Sequence, residues 1–204
     1  DFKGSDLEKL TDESDRWILS RLQTLIENYQ TKMDNYHLYE VIPQVNAFIE
    51  DLTNWYIRLN RRRFWSEETN KEKLDAYTTL YFCLGQFVKL AAPIIPFVTE
   101  EIYLNLFSST EKKESVHLTS FPSVESRFKD ANLEHEVALI QKVVFLGRNL
   151  RSNHKIKTRQ PLKEFKVITP LASEEATIKK YSDLIAQELN VKKVSFSSKE
   201  LDWV

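Results

Sequence analysis

This sequence predicts a mainly α fold, an antiparallel helix bundle followed by a small α/β unit. Three observations predict it. Apolar residues recur at three- and four-residue spacing from Ile18 to Val144, the signature of helices with one buried face. Only three glycines and six prolines punctuate 204 residues, so breakers are few, and most of the prolines fall between the periodic runs. After Pro161 the texture changes to short β-branched runs around one helical stretch. The composition shift divides the chain at 1–160, the bundle, and 161–204, the α/β unit.

Each element follows in order. Six acids against two lysines in Asp1–Asp15 suggest a solvated lead-in, and acids ahead of a periodic run suit a helix N-terminus. Ile18, Leu22, Leu25, Ile26, Tyr29 and Met33 then define a first helix over about Asp12–Asp34. The run from Leu38 through Val41, Ile42, Val45, Phe48, Ile49, Leu52, Trp55, Tyr56 and Leu59 predicts a long second helix ending at Phe64 or Trp65, with Pro43 starting or kinking it. A third helix spans about Lys71–Ala92. Pro93-Ile94-Ile95-Pro96 bends the chain into a shorter fourth, Phe97–Phe107. Ser108–Lys129 has loop composition, and Leu133, Val137, Ile140 and Val144 mark a fifth helix. Beyond Pro161, a strand at Phe165–Ile168, a helix over Ser173–Leu189 and a strand at Val191–Phe196 make a βαβ-like unit. Two strands alone are marginal, and Ser197–Val204 adds little, so the unit reads as cut off from something longer.

Composition excludes several functions. Gly4, Gly85 and Gly147 are too far apart for a phosphate-cradling loop, which needs close glycines for backbone approach. The lone Cys83 forms no internal disulfide, and the absence of a signal-peptide pattern predicts a cytoplasmic protein. The longest apolar run, Leu90–Val98, is broken by two prolines and is too short for a bilayer span, so no membrane role is expected. Four histidines at 37, 117, 135 and 154 lack metal-ligand spacing, and the adjacent pairs Glu100-Glu101 and Glu174-Glu175 point in different directions on a helix. The sequence therefore predicts no catalytic residue, no metal site and no cofactor within this chain.

Charge nearly balances overall, at −1, so any electrostatic signal is local. On a helical wheel Asn54, Arg58, Arg61 and Trp65 lie within roughly 60° of one another, opposite the apolar arc of the second helix. Two guanidinium groups and an indole suit phosphate contact and base stacking. Pairing of the arginines with acids of neighbouring helices is the competing explanation, and it fits Arg63 best, because Arg63 points toward the apolar arc. From Arg148 to Lys163 stand Arg148, Arg151, Lys155, Lys157, Arg159 and Lys163 with no acid. Such a local excess is the footprint of a polyanion partner, or else a solvated helix end whose dipole favours cations.

Several stretches are similar to a known family. Asp15-Arg16-Trp17-Ile18-Leu19-Ser20-Arg21-Leu22, the run Leu52-Thr53-Asn54-Trp55-Tyr56-Ile57-Arg58 into Arg61-Arg62-Arg63-Phe64-Trp65, Ala92-Pro93-Ile94-Ile95-Pro96-Phe97 and Glu100-Glu101-Ile102-Tyr103 resemble the anticodon-binding helical domain of isoleucyl-tRNA synthetases. Ser115-Val116-His117-Leu118, Ile156–Leu162 and Glu188–Lys192 follow in the same order, so the resemblance covers nearly the whole chain. Valyl enzymes share the opening motif and a Trp-Tyr-Ile element, but the triple arginine before Phe-Trp resembles the isoleucyl form.

The resemblance implies a tRNA-binding piece of an isoleucine-tRNA ligase, a class I enzyme that uses ATP and magnesium. Neither class I signature, His-x-Gly-His or Lys-Met-Ser-Lys-Ser, occurs here. Catalytic and editing domains are expected upstream, with isoleucine acceptor tRNA as partner. The candidate tRNA-binding residues are Asn54, Arg58, Arg61, Trp65, Arg148, Arg151, Lys155, Lys157 and Arg159. A protein-interaction bundle that docks an acidic partner on the arginine stripe is the alternative.

Overall fold

The computed structural model describes residues 6–169 and 171–197; Gly4, most of the C-terminal tail and part of the acidic lead-in lie outside the described residues. The chain forms two compact units, one up to Ala131 and one from Asn132 on.

In the first unit, α1 (Glu13–Asp34) begins where Asp12 accepts a hydrogen bond from the Ser14 backbone N–H at 2.8 Å, a side-chain N-cap, with Glu13 and Asp15 in the positive first turn. Its expected apolar stripe is the core: Ile18, Leu22, Ile26 and Tyr29 are buried, joined by Trp17. The second helix is where the structure departs from a uniform wheel. α2 (Leu38–Glu50) contains Pro43 within it rather than at its start, then passes into a π-helical segment, Asp51–Ile57, and after Asn60 into the single turn α3 (Arg61–Phe64). A π turn closes each hydrogen bond over one extra residue, so directions computed at a constant angle drift past Asp51. Leu38, Ile42 and Ile49, assigned to the apolar arc by spacing, are exposed, while Val41, Val45, Phe48, Leu52, Trp55 and Tyr56 are buried.

α4 (Lys71–Ala91) is capped by Asn70, whose side chain accepts from the Lys73 N–H at 2.9 Å. α5 (Pro96–Leu106) starts with proline at the position where a missing N–H costs nothing. A short α6 (Ser108–Glu111) and two 3-10 turns, Val116–Leu118 and Ser126–Phe128, interrupt the expected loop. Glu100 on α5 fastens that loop, accepting from Ser115 Oγ at 3.0 Å and the Val116 N–H at 2.9 Å. Val116 then joins Val88, Ala92, Tyr103 and Phe107 in a second apolar cluster. Polar side chains of α1 hold the rest: Gln23 Oε1 accepts from the Glu125 N–H at 2.7 Å, and Ser20 Oγ from the Asp130 N–H at 2.8 Å.

The second unit contains α7 (Ala131–Asn153) from its second residue on, β1 (Phe165–Ile168), α8 (Ala172–Lys180), α9 (Ser182–Leu189) and β2 (Val194–Ser197). The strands pair in parallel, Phe165 against Val194 through Ile168 against Ser197, which makes the βαβ unit expected from sequence. The crossover is two helices instead of one, broken at Tyr181. By its contacts α7 groups with this unit, whereas the change in sequence texture falls later, at 160/161. Close helix packing explains the grouping. A Cβ on Gly147 of α7 would lie 2.5 Å from Leu189 Cδ1 of α9, so glycine permits the approach.

Candidate nucleic-acid interface

The arginine-rich segment has an inner and an outer side. On the inner side, Asp15 is fully buried, and both its oxygens are used: Arg63 donates at 3.1 Å to Oδ1 and 2.6 Å to Oδ2, and the Tyr56 hydroxyl donates to Oδ1 at 2.5 Å. Asn60 links the same group, donating to Ser14 Oγ at 2.8 Å and accepting from Arg63 at 2.8 Å. Burial pushes the Asp15 carboxyl above its ordinary value, and the hydrogen bonds from Arg63 and Tyr56 pull against that shift. Arg63 is therefore the buried ion pair that its direction on the wheel predicted. The pair ties α1 to the π segment and α3.

On the outer side, Asn54, Arg58, Arg61, Arg62 and Trp65 are exposed. Arg58 Nε donates to the Asn54 carbonyl at 2.7 Å, and its guanidinium carbon lies 6.0 Å from the centre of the Trp55 ring. The Arg61 guanidinium stacks over Trp65 at 4.5 Å, and Trp65 is 65% exposed. An indole held in solvent beneath a planar cation presents a π face and a charge together, a combination that stacks a base and contacts a phosphate. The π segment alters the wheel, yet all four stripe residues still face solvent.

The basic run in the second unit separates by role. Arg148 pairs with Glu188 at 2.5 Å, so the run has an acid neighbour, supplied by α9. Arg151 requires a correction: it was expected at a phosphate, but it is 5% exposed and spends its guanidinium on four backbone carbonyls. It donates to Lys157 and Gln160 at 3.1 and 3.0 Å, and to Leu189 and Asn190 at 2.6 and 3.0 Å. This cation holds the exit of α7 against the end of α9. Lys155, Lys157, Arg159 and Lys163 remain on the surface. Lys155 sits in the left-handed region at φ 55, where the Ile156 N–H reaches back to the Arg151 carbonyl at 2.8 Å and closes the helix. The nearby Ser195 hydroxyl, with Lys166, Lys193 and Lys163 around it, holds the Glu164 carboxyl below its ordinary value.

Cys83 is completely buried, and burial pushes its thiol far up, away from the reactive thiolate. Among the described residues no group of three or more His, Cys, Asp or Glu side chains could hold a metal ion. Among them, too, no helix is long and apolar enough to cross a membrane. Spacing did not reveal the exposed aromatics at the α1–α2 corner. Tyr36 is 87% exposed at φ 58, and Tyr39 is 75% exposed. The positive φ of a bulky residue is the only signal of that corner, and sequence does not carry it.

Residues 15–169 match the family of the anticodon-binding domain of tRNA ligases. Isoleucine–tRNA ligase of Clostridium novyi is 44% identical over 186 residues, covering 90% of this chain and 17% of that protein. The corresponding ligases of Dehalococcoides mccartyi and Protochlamydia amoebophila are 42% and 40% identical, covering 91% and 93% of this chain and 18% of each relative. The chain thus spans less than a fifth of the length of these relatives. With a helical unit whose outer face carries arginine stacked on tryptophan, and with a match over most of its length, the chain belongs to the anticodon-binding domain family of tRNA ligases.

Proposed function

We propose that this chain is the tRNA-binding part of an isoleucine-tRNA ligase and positions isoleucine acceptor tRNA for a reaction performed elsewhere in a longer polypeptide. The observation that carries this reading is the exposed Arg61–Trp65 stack beside Asn54 and Arg58, on a chain of the anticodon-binding family. Lys155, Lys157 and Arg159, with Arg148 at the margin, supply a second cationic surface for phosphates, which fixes position without reading sequence. The longer polypeptide would carry the catalytic and editing domains, use ATP and magnesium there, and work in the cytoplasm. The exposed stack and the surface cations suit binding and orientation of the RNA, which is the contribution assigned to this chain.

Arg61→Ala and Trp65→Ala, each measured by fluorescence titration with transcribed isoleucine acceptor tRNA, test the reading. Each should weaken binding by about 1–3 kcal/mol while the thermal midpoint stays nearly unchanged. Unchanged affinity with a lowered midpoint would make the stack a structural element of the bundle instead.

A further inference from the structure

The C-terminal end of α1 forms one wall of an open cleft of about 560 Å³, closed by the Pro93 turn after α4 and by the loop that carries Phe121. Its lining is Tyr29, Gln30, Met33, Asp34, Pro93 and Phe121. None of these belongs to the arginine stripe or the basic run. Phe121 is 41% exposed, and its ring lies 5.5 Å from that of Tyr29, tilted by 38°. Tyr29 is 1% exposed, yet its buried hydroxyl has no hydrogen-bond partner among the described residues. Such an orphan is costly unless something enters to satisfy it.

Two further polar groups are set. Gln30 Nε2 donates to the Pro122 carbonyl at 3.0 Å, which fixes the amide and leaves Oε1 as its accepting end. Asp34 is an exposed carboxylate at the last turn of α1. A carboxylate repels phosphate, so this cleft suits no backbone contact. It combines an aromatic face, one hydroxyl donor and two acceptors, the equipment that reads a base edge.

We propose that this cleft receives one unstacked guanine from the bound RNA, with Phe121 against the base, Asp34 accepting from its N–H groups and the Tyr29 hydroxyl donating to its carbonyl oxygen. Guanine alone among the four bases places two donor groups, N1–H and the 2-amino group, side by side for a carboxylate. Adenine and cytosine set a ring acceptor next to their amino group, and uracil flanks its single N–H with two carbonyls; each would aim a lone pair at Asp34. The volume accommodates a base with room for water, within the range of small-ligand sites. The inference rests on the RNA-binding reading above and adds to it the residues that discriminate bases.

The test uses the chain with RNA hairpins whose uridine loops carry one guanine, inosine or adenine. Guanine should bind on the order of tenfold more tightly than adenine, with inosine, which lacks the 2-amino group, between them. Asp34→Asn, at an exposed helix end where folding is not at stake, should abolish that order. Tyr29→Phe should reduce the guanine preference without lowering the thermal midpoint, and Phe121→Ala should weaken the guanine hairpin on the order of tenfold. Hairpins bound equally whatever the base, or a preference that survives Asp34→Asn, overturn the cleft and leave the RNA-binding reading standing. No binding of any hairpin or of whole tRNA overturns both.

Discussion

Arg151→Ala separates a structural cation from a nucleic-acid contact. Its side chain is 5% exposed and donates to four carbonyls, those of Lys157, Gln160, Leu189 and Asn190, at 2.6–3.1 Å. A hydrogen bond from a charged donor contributes about 1.5–3 kcal/mol, so simple addition would give about 6–12 kcal/mol. Addition overstates the loss, because the four bonds share one cation and the vacated space admits water to the carbonyls. About 3–4 kcal/mol is expected for the second unit. Thermal and urea unfolding followed by circular dichroism should show it as a midpoint lowered by more than ~10 °C. The companion variant Lys155→Ala should move the midpoint little, since that side chain is on the surface. In tRNA titrations Lys155→Ala should lower the slope of log affinity against log salt by roughly 0.7–0.9. A stable Arg151→Ala protein with that same loss of slope would refute the structural assignment and return Arg151 to the phosphates.

Three further outcomes follow from named contacts. Arg63→Met leaves the buried Asp15 carboxylate without its cation and should cost about 3–5 kcal/mol near neutral pH. Burial already holds that carboxyl above its ordinary value, and losing Arg63 raises it further. The folded state then takes up the proton before the unfolded chain does, so the penalty should shrink as pH falls through the raised value, in unfolding curves taken across acid pH. Lys155→Gly relieves a left-handed backbone at φ 55 and should raise stability by about 0.5–1 kcal/mol, read as a higher midpoint in urea. Gly147→Ala gains helix propensity but places a methyl 2.5 Å from Leu189, and should lower stability by a net ~1 kcal/mol or more; an unchanged urea midpoint would show that Leu189 yields freely.

How far the sequence carried these features depends on how local they are. α1 was legible because its cap, its acids and its apolar stripe all lie within one contiguous segment. The parallel βαβ unit was legible for a similar reason, two apolar runs around a helical one. The π segment was not, since no residue type announces an i→i+5 hydrogen bond. Leu38, Ile42 and Ile49 lie before it in α2, a helix with more apolar positions than the face it buries, and spacing alone does not say which of them face solvent. Arg63 could be assigned to an ion pair from its direction alone. Arg151 could not, because its carbonyl partners come from a loop and from the end of α9, some forty positions away in chain order. Lys157 and Arg159 share its charge and neighbourhood in sequence, but not its burial. The cleft at Tyr29 was invisible for the same reason, being assembled from α1, the Pro93 turn and the Phe121 loop.

The most direct measurement of the central claim is nuclease and chemical protection of isoleucine acceptor tRNA by this chain. Binding through the Arg61–Trp65 face and the lysine surface should shield the anticodon stem and loop and leave the acceptor arm open to cleavage. Protection should fade with added salt, since phosphate contacts release counterions. Protection centred on the acceptor arm, or a pattern unchanged from free tRNA at concentrations where the chain is folded, would contradict the assignment of this chain to anticodon-end tRNA binding.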